Sequence, residues 1–162
     1  YLNLISDIHP SQATLVPDGP DVLTSNAGWN TEKHYDFLKE TLQGIKQLGV
    51  RTSLFIEPNV KWIELARSAG ADRIELYTGP YAEAFQSDPK KAVESYVDAV
   101  AFATSIGLEI NAGHDLNQEN LRFFKTAIQQ LDEVSIGHAL ISDALYLGIE
   151  NTIQRSLHLL RD

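Results

Sequence analysis

The strongest constraint on this chain is a period. A short apolar or β-branched run is followed by a helical pattern, and the pair recurs five times. The runs lie at 13–17, 51–57, 73–78, 108–112 and 133–137, bounded by Pro, Gly, Asn or Asp. Thr31 or Asn30 caps the first full helix, which lines up Tyr35, Leu38, Leu42, Ile45 and Leu48 and stops at Gly49. A second runs from Pro58 or Asn59 through Trp62, Ile63, Leu65, Ala66 and Ala69 to Gly70. Asp88 as N-cap with Pro89 at the first helical position opens a third. That helix carries Val93, Tyr96, Val97, Val100 and Ala101 and ends at Gly107. Helical patterns over 117–131 and 139–161, the latter divided at Gly148, complete the series. Residues 1–8 read as the last turns of an earlier helix, closed by His9-Pro10.

Alternating strands and helices imply a parallel sheet with right-handed crossovers. Two architectures satisfy that rule: an open doubly wound sheet, or part of a closed (β/α)8 TIM barrel. A complete barrel takes about 250 residues, so five units in this chain match the barrel's repeat length, with about three units expected ahead of Tyr1. No linker or low-complexity segment interrupts the pattern, so residues 1–162 read as a single domain. Residues 18–30 form a loop without apolar periodicity, long enough to suggest a functional role.

Charge and composition narrow the chemistry. A net charge of −9 argues against non-specific binding to nucleic acid or to an anionic membrane surface. The absence of cysteine removes disulfides, Cys-ligated zinc and thiol catalysis. No apolar run reaches the length of a membrane span, and no signal peptide opens the chain. There is no GxGxxG, P-loop or HExxH pattern, so neither a dinucleotide, ATP nor a zincin metal is expected.

The candidate site comes from the strand ends. Two strands finish on the same pair, Gly113-His114 and Gly137-His138. Parallel strands put both imidazoles at one edge of the sheet, the edge where α/β folds bind ligands. Glycine lets a ligand approach the backbone, and histidine moves protons near neutral pH. Glu75 alternates with Ile74 and Leu76, so it faces one side of its strand; in a barrel that side is the lumen. A buried Glu near a His is a proton-moving pair. Residues 139–145 following Gly137 suit a short helix whose N-terminal amides hold a phosphate. Glu57 and Asp18, both near strand ends, are weaker candidates.

Five segments in order carry a family resemblance: Leu15-Val16-Pro17-Asp18 with Leu23-Thr24-Ser25; Ser53-Leu54-Phe55-Ile56-Glu57; Ile74-Glu75-Leu76-Tyr77-Thr78-Gly79-Pro80-Tyr81-Ala82; Asn111-Ala112-Gly113-His114; and Ile136-Gly137-His138-Ala139. Together they resemble pyridoxine 5′-phosphate synthase. The resemblance implies a TIM barrel of which this chain is roughly strands four to eight. It implies condensation of 3-amino-2-oxopropyl phosphate with 1-deoxy-D-xylulose 5-phosphate to pyridoxine 5′-phosphate, phosphate and water, without metal or organic cofactor. It further implies a cytoplasmic homo-octamer.

By position, the resemblance makes His114 the proton donor and Glu75 the group that stabilises charge in the transition state. It gives Thr24 to the deoxyxylulose phosphate, and Gly137 and His138 to the phosphate of the amino substrate. Asp115 joins the substrate-binding set but departs from the family's usual Gly at that place. A carboxylate beside a phosphate is unfavourable unless it points away. The family's Asn-x-Asp-His motif, its His-x-Arg-x-Asp-Arg segment and a further catalytic Glu are absent, so the residues alone are not expected to form a competent site. Another phosphate-binding barrel enzyme, or a non-catalytic flavodoxin-like domain, are the competing readings. A curved partial sheet in chain order distinguishes the barrel from the flavodoxin-like arrangement.

Overall fold

The computed structural model describes residues 1–19 and 21–161. Five strands form its sheet: β1 (Gln12–Leu15), β2 (Arg51–Ile56), β3 (Arg73–Tyr77), β4 (Glu109–Gly113) and β5 (Glu133–Ser135). They lie in the order β1-β2-β3-β4-β5, and every neighbouring pair is parallel. A doubly wound sheet reverses its strand order at a switch point. No reversal occurs here, so the flavodoxin-like arrangement is excluded.

The helices are α1 (Leu2–Ile8), α2 (Tyr35–Gln47), α3 (Val60–Ala69), α4 (Gly79–Phe85), α5 (Pro89–Ser105), α6 (Leu121–Ala127), α7 (His138–Leu147) and α8 (Ile149–Leu160). Helices α2, α3, α5, α6 and α8 touch one another in that sequence. Strand alternation explains where they sit. Ala13, Leu15, Leu54, Ile56, Ile74, Leu76, Ile110 and Ala112 fall on one face of the sheet and are buried. They join Leu38, Leu42 and Ile45 of α2, Ile63 of α3, Tyr96 of α5 and Phe124 of α6 in a single core.

The other face is polar and concave. Near the strand starts, Arg51 Nε donates to Gln12 Oε1 at 2.9 Å, and its Nη1 reaches Glu109 Oε2 at 3.3 Å, passing β3. Arg73 donates to Glu109 Oε2 at 2.6 Å and, passing β4, to Glu133 Oε2 at 2.7 Å. Adjacent strands stand about 4.8 Å apart, and long side chains that meet across an intervening strand fit a face that curls inward. The Arg73 side chain is 7% exposed, a position at which a charge persists only when paired. The result is a curled, five-stranded half-barrel with its helices outside.

Several boundaries differ from the sequence expectations, each for a local reason. Helix α2 starts at Tyr35 rather than near Thr31, because Asn30 Oδ1 accepts from Lys33 N at 3.0 Å and holds a separate turn first. Helix α6 covers 121–127 instead of 117–131. Asn117 Oδ1 accepts from the amides of Glu119 and Asn120, and Asn120 Oδ1 accepts from that of Asn117, which folds its expected first turn into a side-chain-bonded loop. Helix α4 was not anticipated: Gly79-Pro80 reads as a stop, yet Pro in the first turn of a helix needs no amide hydrogen. Strands β1 and β5 end at Leu15 and Ser135, two residues early. Val97 is 40% exposed rather than in the core. Among the described residues no helix is long and apolar enough to cross a membrane.

Candidate active site

The site is built at the C-terminal ends of the strands. β4 ends at Gly113, and His114 and Asp115 follow with φ of 90° and 58°. Two successive non-glycine residues in this region are strained. Thr78 holds them there. Its backbone N–H donates to the Gly113 carbonyl at 2.9 Å, and its hydroxyl lies within bonding distance of the carbonyls of both Gly113 and His114. The His114 ring is thereby fixed between three neighbours. Nε2 is 2.9 Å from Thr24 Oγ1, Nδ1 is 2.9 Å from Asp115 Oδ2, and Tyr77 stands edge-on with ring centroids 5.1 Å apart. Its side chain is only 17% exposed.

A carboxylate can only accept, so the Asp115 contact puts a proton on Nδ1. Nε2 is then the nitrogen that exchanges a proton at the open side of the ring. Thr24 reaches it from the 16–30 loop, ninety residues away in sequence. Further contacts tie that loop down: Ser25 bonds Asp18, Gly28 N donates to Glu57 Oε1 at 3.0 Å, and Trp29 Nε1 donates to the Leu15 carbonyl at 3.0 Å.

Glu75 lies on the concave face, level with Phe55 of β2 and Asn111 of β4. It is half-buried. A Cβ on Gly113 would overlap Glu75 Oε1 and press on Ser135, so glycine at 113 is what admits the carboxylate. Burial pushes the Glu75 carboxyl above the usual carboxylate range; the Ser135 hydroxyl works against this and the Glu133 charge adds to it. Asn111 Oδ1, level with Glu75, and Ser53 Oγ, level with Arg73, are buried without a hydrogen-bond partner among the described residues. Orphaned polar atoms of this kind are costly unless water or a ligand meets them.

Gly137 is the N-cap residue of α7 and His138 its first residue. No side chain caps this end, so its first amides lack helical partners. A Cβ at Gly137 would meet nothing within 4 Å. Thr24, Glu75, His114, Asp115, Gly137 and His138 all border one open cavity of about 620 Å³. All six residues singled out from sequence therefore converge. Asp18 borders the cavity as well, whereas Glu57 does not and serves to hold the loop. The residues that sequence reasoning missed as contributors are Thr78 and Ser135. Their roles depend on which strands are neighbours, which a single strand's pattern does not contain. No lysine or arginine borders the cavity among the described residues, and no group of three or more His, Asp or Glu is placed to hold a metal.

A half-barrel α/β chain with its acid–base groups at the C-terminal strand edges is the class this fold and site define. Within that class, the chain belongs to the family described as pyridoxal phosphate biosynthesis protein PdxJ, whose model matches residues 1–162. It is 55% identical over 155 residues to the pyridoxine 5′-phosphate synthase of Porphyromonas gingivalis, an overlap of 96% of this chain and 65% of that one. It is 52% identical over 161 residues to the synthase of Bacteroides fragilis, covering 99% of this chain and 68% of the relative. The chain thus spans about two thirds of the length of these relatives. Its fold is similar to that of the HMG-CoA lyase from Brucella melitensis, with a TM-score of 0.52 and 22% identity over 75% of this chain and 47% of that one. That likeness concerns the fold alone.

Proposed function

We propose that these residues are the C-terminal part of a pyridoxine 5′-phosphate synthase, with β1 to β5 as strands four to eight of a TIM barrel. The enzyme condenses 3-amino-2-oxopropyl phosphate with 1-deoxy-D-xylulose 5-phosphate. The observation that carries this reading is the convergence of Glu75 and His114 on one cavity, in a chain about 50% identical to proteins bearing that name.

On this reading His114, protonated on both nitrogens, gives its Nε2 proton to a departing oxygen while Nδ1 stays bonded to Asp115. Glu75 faces the substrate carbon skeleton, where a carboxylate stabilises positive charge that develops at an amine or imine. Thr24 contacts the sugar phosphate. The amides at Gly137 and His138 receive the other phosphate, with the α7 dipole oriented to favour it. The cations that two phosphates need are not among the described cavity residues. They come, on this reading, from the barrel units that precede β1. The enzyme works in the cytoplasm as a homo-octamer. Ile141, Leu145 and Tyr146 of α7 are exposed, which supports a larger assembly.

Replacing His114 with Asn in the complete enzyme tests the assignment. Turnover is expected to fall by roughly 10²–10⁴, the usual worth of a general acid. Fold and phosphate binding should persist. Unchanged turnover would remove His114 from the mechanism.

A further inference from the structure

Asp115 is an odd residue for its position. At φ 58° a glycine sits without penalty, and Asp is among the few side chains that tolerate this region, at a modest cost. Its carboxylate is half exposed and close to where a phosphate would enter, in a cavity already bordered by Glu75 and Asp18. A third acid should weaken anion binding, unless its charge is directed elsewhere. It is. Asp115 Oδ2 lies 2.9 Å from His114 Nδ1, the one hydrogen-bond partner of this carboxylate among the described residues. The left-handed turn produces the contact. Adjacent residues on an extended strand point to opposite faces. Here two successive positive φ values bring neighbouring side chains together.

We propose that Asp115 is the positioning residue of His114. Its carboxylate keeps a proton on Nδ1, holds Nε2 toward Thr24 and the cavity, and favours the doubly protonated ring from which Nε2 gives its proton. Asp115 itself touches no reacting atom. Without it, the neutral ring is free to carry its proton on Nε2, and nothing then fixes the ring's orientation about its bond to the backbone. The arrangement has the logic of a carboxylate that orients a catalytic imidazole, assembled from two residues adjacent in sequence.

This inference rests on the reading of His114 as the proton donor, and the experiment separates the two. Asp115→Gly removes the carboxylate, keeps the backbone amide and relieves the positive φ, so the fold is not threatened. Asp115→Asn keeps an oxygen that accepts from Nδ1–H. In the complete protein, ¹⁵N spectra of the imidazole nitrogens, with His114 assigned by its loss in His114→Asn, are expected to place the neutral ring's proton on Nδ1. Asp115→Gly should move it toward Nε2. In turnover of the two phosphate substrates, Asp115→Gly should lower kcat on the order of 10–100-fold with little change in KM, and Asp115→Asn should recover part of that loss. An unchanged tautomer in Asp115→Gly would overturn the proposal. So would an effect confined to KM, the mark of a purely substrate-repelling or substrate-binding carboxylate. Failure of the proton-donor reading would appear differently: a tautomer shift in Asp115→Gly together with full turnover in His114→Asn.

Discussion

Glu75 occupies a place where its charge is unfavourable, and this has a measurable consequence. Burial, with Glu133 adding and Ser135 opposing, raises its pKa in the folded chain. A raised folded value means that the folded state holds a proton the unfolded state has released. The stability linked to that proton is present below the ordinary carboxylate range and is lost as pH rises through the folded value. Gln at this position does not titrate and keeps the shape. Glu75→Gln is therefore expected to melt at a higher temperature than wild type near neutral pH, with the difference shrinking toward about pH 4. Turnover of the same variant should fall by about 10² or more, in keeping with the loss of an acid–base or charge-stabilising group. Thermal denaturation at the two pH values, beside a steady-state assay, checks both halves. A wild type more stable than the variant at neutral pH would mean that favourable pairing, not burial, dominates at Glu75.

At the scale of elements, the start of α7 carries the argument for a phosphate. Its uncapped amides and the empty space around Gly137 leave that end open. Gly137→Val should be accepted by the protein, since a Cβ there meets no neighbour, yet should obstruct a ligand resting on the backbone. Calorimetric titration of the complete enzyme is expected to show about a tenfold or greater loss for 3-amino-2-oxopropyl phosphate, each tenfold being 1.4 kcal/mol. Affinity for the sugar phosphate should change less. Equal losses for both ligands would move the phosphate elsewhere on the rim. The strand ends that define this site were legible in sequence because Gly-His closes two apolar runs of the same period. The unbroken strand–helix alternation made the sheet parallel but left its order between a barrel and a doubly wound arrangement, which the strand pairing decides. What escaped was set by neighbours. Asn117 and Asn120 bond backbone amides and shorten α6, and Thr78 clamps a turn thirty-five residues away. The contact between Asp115 and His114 also left no trace in the letters of the chain, because it depends on two successive positive φ values.

For the molecule as a whole, acid stability should depend visibly on Asp72. This carboxylate joins the end of α2 to the start of β2: Lys46 Nζ is 2.6 Å away, and the amide and hydroxyl of Thr52 donate at 3.0 and 2.8 Å. Burial opposes its charge, but Lys46 and Thr52 together hold the carboxyl below its usual range. A lowered folded value contributes stability above the ordinary carboxylate range that disappears as pH falls through it. Asp72→Asn is expected to cost about 1 kcal/mol at pH 7, modest because a third of the side chain meets solvent. The difference should vanish in strong acid. Urea denaturation at both pH values reads it directly, and a constant difference would assign the effect to packing.

The row of charges on the floor of the concave face has a meaning for assembly of the sheet. Strand side chains alternate, so a slip of one residue would exchange the two faces of a strand. For β3, such a slip would drive the Arg73 guanidinium among Leu54, Ile56 and the helices, would strand Glu133 without its cation and would leave Glu109 only the longer contact to Arg51. Burying an unpaired charge costs several kcal/mol, far more than a misplaced leucine. Arg51 and Arg73 each bond across an intervening strand, so neither makes its full set of contacts until three strands are aligned. The floor thus works as a proofreader: a sheet half in register gains only the bonds between adjacent strands, and the aligned one alone completes the set.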